Sequence, residues 1–197
     1  MTERKPTSIR RAELADAALR IVATRGIAAL STRALADEAG LTTGALFRHY
    51  PSLDDLLVGV CARAAELLGA TFPDPALPPR ERLAEFTRAR LALVREHPGV
   101  PQLVLSDQFA LALPDEGREH LRVAVRATHG FLAGAFRDGQ RRGEVRADVD
   151  PDGLASLFLG AMQIAALTAR TGVVSAPSAL RALETLAFVS PLPEEKP

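Results

Sequence analysis

The stretch that most constrains this chain runs from Leu30 to Leu57, LSTRALADEAGLTTGALFRHYPSLDDLL. It holds two short helical patterns separated by a three-residue break. Leu35, Ala36 and Ala39 fall on one helical face, and Gly40 is placed to end that helix. Thr42 offers a hydroxyl to cap the next helix, which carries Leu46 and Tyr50 inward at i, i+4 spacing. A third helix starts after Pro51. Helices this short are not stable alone and must be packed against something. The arrangement reads as a helix-turn-helix, whose second helix turns its polar side toward a DNA groove.

The rest of the chain supports an all-α fold. Gly and Pro sit at breaks between Ala/Leu/Arg-rich segments, and few runs alternate with period two. With 197 residues and 47% hydrophobic residues, the chain can bury a substantial core in one large or two small domains. The formal net charge is zero, but residues 1–50 hold eight Lys/Arg (Arg4, Lys5, Arg10, Arg11, Arg20, Arg25, Arg33, Arg48) against five acids. A basic end of this kind suits a phosphate-binding head. Cys61 is the only cysteine, which excludes an intramolecular disulfide and points to a reducing, cytoplasmic setting. The N-terminus MTERKPTSIRR has no apolar signal-peptide core. The uncharged run Gly153–Ala169 is too short and too rich in small residues for a membrane span, so it is expected as a buried helix.

Periodicity predicts a first helix from Thr7 or Ser8 to Arg25, with Leu14, Ala18, Ile21 and Val22 inward and Gly26 as the stop. Arg4, Lys5, Arg10 and Arg11 at its start are either a solvated terminus or an arm for backbone phosphates. After the helix-turn-helix, Leu53, Leu56, Leu57, Val60, Cys61, Ala64, Leu67 and Leu68 predict a helix to about Ala70, with Cys61 a buried small hydrophobe. FPDPALPPR (Phe72–Arg80) is the clearest linker. Five helices are expected beyond it: Pro79–Glu96, Val100–Leu113 (apolar nearly all round), Asp115–Arg142, Pro151–Thr171 and Ser178–Val189. The domain division is a helix-turn-helix head over 1–51, a connecting helix over 52–71, a body over 72–190 and a tail over 191–197. The helix beginning at Pro151 is apolar on two faces, which calls for two partners: the chain's own body and a second copy.

Residues 8–57 resemble the DNA-binding head of the TetR family of bacterial one-component regulators. The first helix ending in RG, STRALADEAG, and LTTGALFRHYPSLDDL carry the resemblance without gaps. GEVRADVDPDGLA before a long apolar helix is also similar to family bodies. The resemblance implies a ligand-responsive DNA-binding transcriptional regulator, a repressor that binds double-stranded DNA at a palindromic operator as a homodimer. The dimer would form through the last two helices, and a small-molecule effector would release the operator. Arg33, Thr42, Thr43, Gly44, Phe47, Arg48 and His49 are the expected DNA-contacting residues. Thr42 and the free N–H groups of its helix can hold a phosphate. Thr43 can meet a thymine methyl or a base acceptor, and Arg48 a guanine edge or a phosphate. Gly44 is a poor helix former, explained either by a close approach of backbone to DNA or by a place within the cap. Phe47 and Leu53 stand where the family usually has Tyr and Lys, so two phosphate contacts are missing. Phe86, Phe109, Phe131, Met162 and Gln163 are the expected ligand-binding residues of the body.

A catalytic reading finds little support in the sequence. His120 and His129 lie on opposite sides of one helix and cannot share a metal. Glu116 and His120 share a face, but no third ligand is evident. No Gly-rich phosphate loop, GxSxG or HExxH occurs. No catalytic residue, metal or cofactor is therefore expected, and no membrane association.

Overall fold

The computed structural model describes residues 6–106, 111–168 and 176–188. The named helices are α1 (Thr7–Arg25), α2 (Thr32–Glu38), α3 (Thr43–Phe47), α4 (Leu53–Gly69), α5 (Pro79–Glu96), α6 (Gly99–Leu105), α7 (Asp115–Arg141), α8 (Pro151–Thr168) and α9 (Ala176–Ala187), with a 3₁₀ turn at Ile27–Ala29. The expected all-α class is what the chain adopts. Contacts group it into two compact units, residues 1–72 with 89–125, and residues 73–88 with 126–197. Helices α5 and α7 each contribute to both.

In the first unit α1 is the centre. Leu14, Ala15, Ala17, Ala18, Leu19, Ile21 and Val22 are all buried, and the helix packs against α2, α4 and α6. Small residues on α1 let its neighbours approach closely. Gly99, at the start of α6, lies so near that an added Cβ would sit 2.1 Å from the Leu19 carbonyl oxygen. Any side chain at position 99 would force α6 off α1. Gly26 and Gly40 end α1 and the α2 turn with φ of +77° and +64°, a conformation that glycine adopts without steric cost.

Three hydroxyls start the next three helices. Ser31 accepts from the Ala34 N–H at 3.1 Å, Thr42 from the Ala45 N–H at 3.2 Å, and Ser52 from the Asp55 N–H at 3.0 Å. Each such cap contributes about 1 kcal/mol, which matters most for α2 and α3 because they have so few residues. Between them, Leu35, Leu46, Tyr50, Leu56 and Val60 join α1 in one apolar cluster. Cys61 is buried in the same cluster, as expected, and burial pushes its thiol up to about 12. Arg90 is buried too; desolvation pulls its guanidinium down to about 10, and it lies over the Phe72 ring at 6.0 Å.

In the second unit Leu83, Phe86, Leu132, Phe136, Leu154, Phe158 and Met162 are buried. Phe136 and Phe158 meet edge to face at 6.0 Å, and Arg82 binds Asp138 at 2.8 Å. The connection before α8 is held by Gln140, whose amide donates to the carbonyls of Arg146 (3.0 Å) and Val149 (2.7 Å). Asp150 then caps α8 by accepting from the Gly153 N–H at 2.8 Å.

Two expectations need correction. The single helix over Val100–Leu113 is not formed: α6 stops at Leu105, and Ser106 is extended (φ −94°, ψ 114°). Val100 and Leu103 bury one face, while Leu111 is 87% exposed, so the apolar run does not mean burial on all sides. Leu53, assigned to the inward stripe of α4, is 42% exposed, because as the first residue of the helix it precedes the packed turn. The expected ends of the last two helices beyond Thr168 and Phe188 lie outside the described residues, as do Arg4, Lys5 and Phe109.

Candidate nucleic-acid interface

The outward surface of α2 and α3 gathers most of the residues expected to touch DNA. Helix α3 has only five residues, a turn and a half, so its side chains divide cleanly. Leu46 points into the core, as does Tyr50 just past the helix end. Thr42, Thr43, Gly44, Phe47 and Arg48 are exposed, with Arg33 exposed near the start of α2. Positions 43, 44, 47 and 48 share one helical face by their i, i+1, i+4, i+5 spacing.

Several cations near this face are held by carboxylates. Arg20 and Arg25 both bind Glu38, at 3.3 and 3.2 Å, and Arg63 binds Asp16 at 2.9 Å and Glu66 at 2.6 Å. Among the described residues, no ion pair holds Arg33 or Arg48. Their guanidinium groups remain available for phosphate or the guanine edge, which suits their planar donor fork. Phe47, 43% exposed beside Arg48, leaves apolar surface in water; contact with a deoxyribose or a thymine methyl would cover it. His49 is half-buried, and its Nδ1 is buried without a hydrogen-bond partner among the described residues.

The side chain whose importance the sequence reading missed is Tyr50's partner set. The Tyr50 hydroxyl donates to the Arg11 carbonyl at 3.1 Å, and the Arg11 guanidinium lies 4.8 Å from the ring centroid. The ring rests on Gly59 of α4, where an added Cβ would lie 2.4 Å from the ring edge. Burial raises the phenol above its ordinary value, which keeps it protonated as a donor. A glycine in the middle of an otherwise strong helix was the available signal. Alongside runs an open groove of about 510 Å³ between α1 and α4, lined by Ser8, Ala12, Ala15, Ala62 and His120 among others.

The described candidates for ligand contact all belong to the second unit. Phe86 and Phe131 are brought together, ring centroids 5.2 Å apart and planes tilted by 34°. Phe86 and Met162 are buried, and Gln163 is half-buried. Among the described residues, no group of three His, Cys, Asp or Glu could hold a metal ion.

Comparison with known proteins gives two family matches. Residues 14–60 match "Bacterial regulatory proteins, tetR family", and residues 79–182 match "Tetracyclin repressor-like, C-terminal domain". The HTH-type transcriptional repressor KstR2 of Mycobacterium tuberculosis is 28% identical over 152 residues, covering 73% of this chain and 72% of KstR2. Among solved structures, AibR in complex with isovaleryl coenzyme A and operator DNA superposes with a TM-score of 0.74 at 21% identity, covering 91% of this chain and 98% of AibR. A putative transcriptional regulator from Saccharomonospora viridis in complex with choline gives 0.76 at 22% identity, covering 93% and 100%. At these identities the structures establish a shared fold.

Proposed function

The chain belongs to the TetR family of bacterial regulatory proteins, and from that premise we propose that it is a ligand-responsive repressor which binds a palindromic operator as a homodimer. The observation that carries this reading is the outward face of α2 and α3: Arg33 and Arg48, without ion-pair partners among the described residues, flanked by Thr43, Gly44 and Phe47, on helices set by hydroxyl caps. Such a face supplies both phosphate contacts, which fix register, and base-edge contacts, which read sequence. KstR2 is itself a named repressor, and AibR was solved on its operator.

The dimer reading rests on α8. Its inner face buries Leu154, Phe158 and Met162, yet Leu157 and Ile164, seven residues apart on another face, are 60% and 50% exposed. A second copy on that face would cover both. Two heads held this way meet successive major grooves about one helical turn apart.

Release needs no chemistry. An effector that binds the body more tightly in a state with misplaced heads shifts the population away from operator-bound chains. Moving a 99:1 preference to 1:99 takes about 5.5 kcal/mol of differential affinity. The Phe86–Phe131 pair with Met162 and Gln163 is the proposed effector contact, and AibR and the Saccharomonospora viridis protein supply the first compounds to try, isovaleryl coenzyme A and choline. No described helix is long and apolar enough to cross a membrane, and the proposed place of action is the cytoplasm.

The test is selection of bound duplexes from a random pool. An inverted repeat is expected, with half-site centres about one helical turn apart or slightly more. Recovery of no motif, or of a single asymmetric half-site, would overturn the proposal.

A further inference from the structure

Tyr50 follows the recognition helix directly, two residues after Arg48, and is 2% exposed. It reaches both neighbouring helices of the head at once. On α1 its hydroxyl donates to the Arg11 carbonyl at 3.1 Å while the Arg11 guanidinium covers the ring. On α4 the ring fills the space a side chain at 59 would need: an added Cβ would lie 2.4 Å from Cε1, 2.6 Å from the hydroxyl oxygen and 2.8 Å from Cζ. Contacts under 3.0 Å cannot stand, so Gly59 and the ring are mutually fitted.

Helix α3 has few other restraints. Along its five residues and the turn that follows, only Leu46 and Tyr50 are buried. With one inward anchor a short helix can still roll or tilt; with two, its outer face is fixed. Base-edge contacts tolerate displacements of only about 0.5 Å. Resting on the reading of this head as the DNA-binding part, we infer that Tyr50 is the positioning residue that sets the pitch of the recognition helix, seated in the Gly59 notch and clamped by Arg11.

The open groove between α1 and α4 is lined by Tyr50 and Gly59. A methyl group at 59 is expected to push the ring toward this groove, at the cost of the ring's own burial, while the rest of the cluster stays packed. Ala also favours the middle of a helix over Gly by about 1 kcal/mol. Gly59→Ala is thus a folded chain with an unseated tyrosine. Because Tyr50 is the only tyrosine and tryptophan is absent, intrinsic fluorescence reports its seat alone.

The experiment uses the full chain and compares the selected operator with a scrambled duplex of the same length. The expected result for Gly59→Ala is a chain that still unfolds cooperatively but with a lowered Tm, since the ring loses its burial and its Arg11 contacts, with Tyr50 emission newly quenched by acrylamide and a ratio of specific to non-specific affinity reduced at least tenfold. Partial unfolding would lower both affinities together and leave the ratio intact. In a Tyr50→Leu background, with no ring to displace, Gly59→Ala is expected to change the ratio by less than twofold. Tyr50→Phe keeps the ring and removes only the hydroxyl, and should lower the ratio several-fold, so the inference stays testable if Gly59→Ala does not fold. A retained ratio in Gly59→Ala or Tyr50→Phe, or an equal loss from Gly59→Ala in both backgrounds, overturns the inference. A parent chain that enriches no duplex overturns the DNA-binding reading itself, a result distinguishable from all of these.

Discussion

Replacing Gly44 by Ala should make the protein more stable and a worse DNA binder, two effects that single substitutions rarely separate. Gly44 is the second residue of α3, and a Cβ added there meets no atom within 4 Å. Its φ is not in the left-handed region, which among the described residues holds only Gly26, Gly40 and Gly143. Among the described residues nothing therefore requires glycine at this position. In a helix interior the exchange favours Ala by about 1 kcal/mol; in the first turn, beside the Thr42 cap, roughly half of that is expected. For a chain of this length that corresponds to a rise of about 1–2 °C in Tm. On DNA the methyl group stands on the face shared with Thr43, Phe47 and Arg48, where it holds the backbone away from the groove. Losing a close contact of this kind costs about 1–3 kcal/mol, a 5- to 150-fold weaker complex. The assay pairs thermal unfolding with fluorescence anisotropy on the selected operator. A stabilised variant that binds as tightly as the parent would show that Gly44 serves only the helix cap and that the backbone does not approach the DNA.

Three other outcomes follow from the same structure. Leu53→Lys adds a cation on an exposed position, so affinity should rise at low salt and the salt slope steepen by roughly 0.9 per half-site, with stability changed by no more than a few tenths of a kcal/mol; an unchanged slope in a salt titration would remove position 53 from the interface. Leu157→Asp places an unpaired carboxylate on the exposed face of α8, which should cost the dimer about 3 kcal/mol or more. Sedimentation at micromolar concentration should then show monomers, and an intact dimer would mean that this face is not the seam. Cys61 is fully buried, and that burial pushes its thiol up to about 12, so the native chain offers almost no reactive thiolate at pH 8. A thiol reagent should label it only at the rate of unfolding, and rapid labelling of the native chain would contradict its burial.

Much of this fold could be read locally. Helix stops at Gly26 and Gly143, the limits of Pro79–Glu96, and the cap at Thr42 all follow from residues within a turn or two of the event they cause. Burial of Leu46, Tyr50 and Cys61 followed from periodicity for the same reason. What escaped were facts decided by residues distant in sequence. Apolar composition predicted a helix through Leu113, but one buried face is all that Val100 and Leu103 supply, and the chain leaves the helix at Ser106. Leu53 fits the stripe by spacing yet lies one position before the packed part of α4. The fit of Tyr50 to Gly59 was not legible either, because a glycine signals that something comes close without saying what. At the interface, residue types alone marked Arg33 and Arg48 as cations among many. That Arg20, Arg25 and Arg63 are held by carboxylates while those two are not is a property of the folded chain.

On the proposed function, the face bearing Arg48 reads DNA sequence in a symmetric pair of half-sites. Selection from a random duplex pool, run side by side with the parent chain and Arg48→Ala, tests it most directly. The expected result is an inverted repeat for the parent, and for the variant the same repeat with preference lost at one symmetric pair of positions, about 1–3 kcal/mol weaker in affinity. Identical motifs from the two chains, or no repeat from the parent, would contradict it.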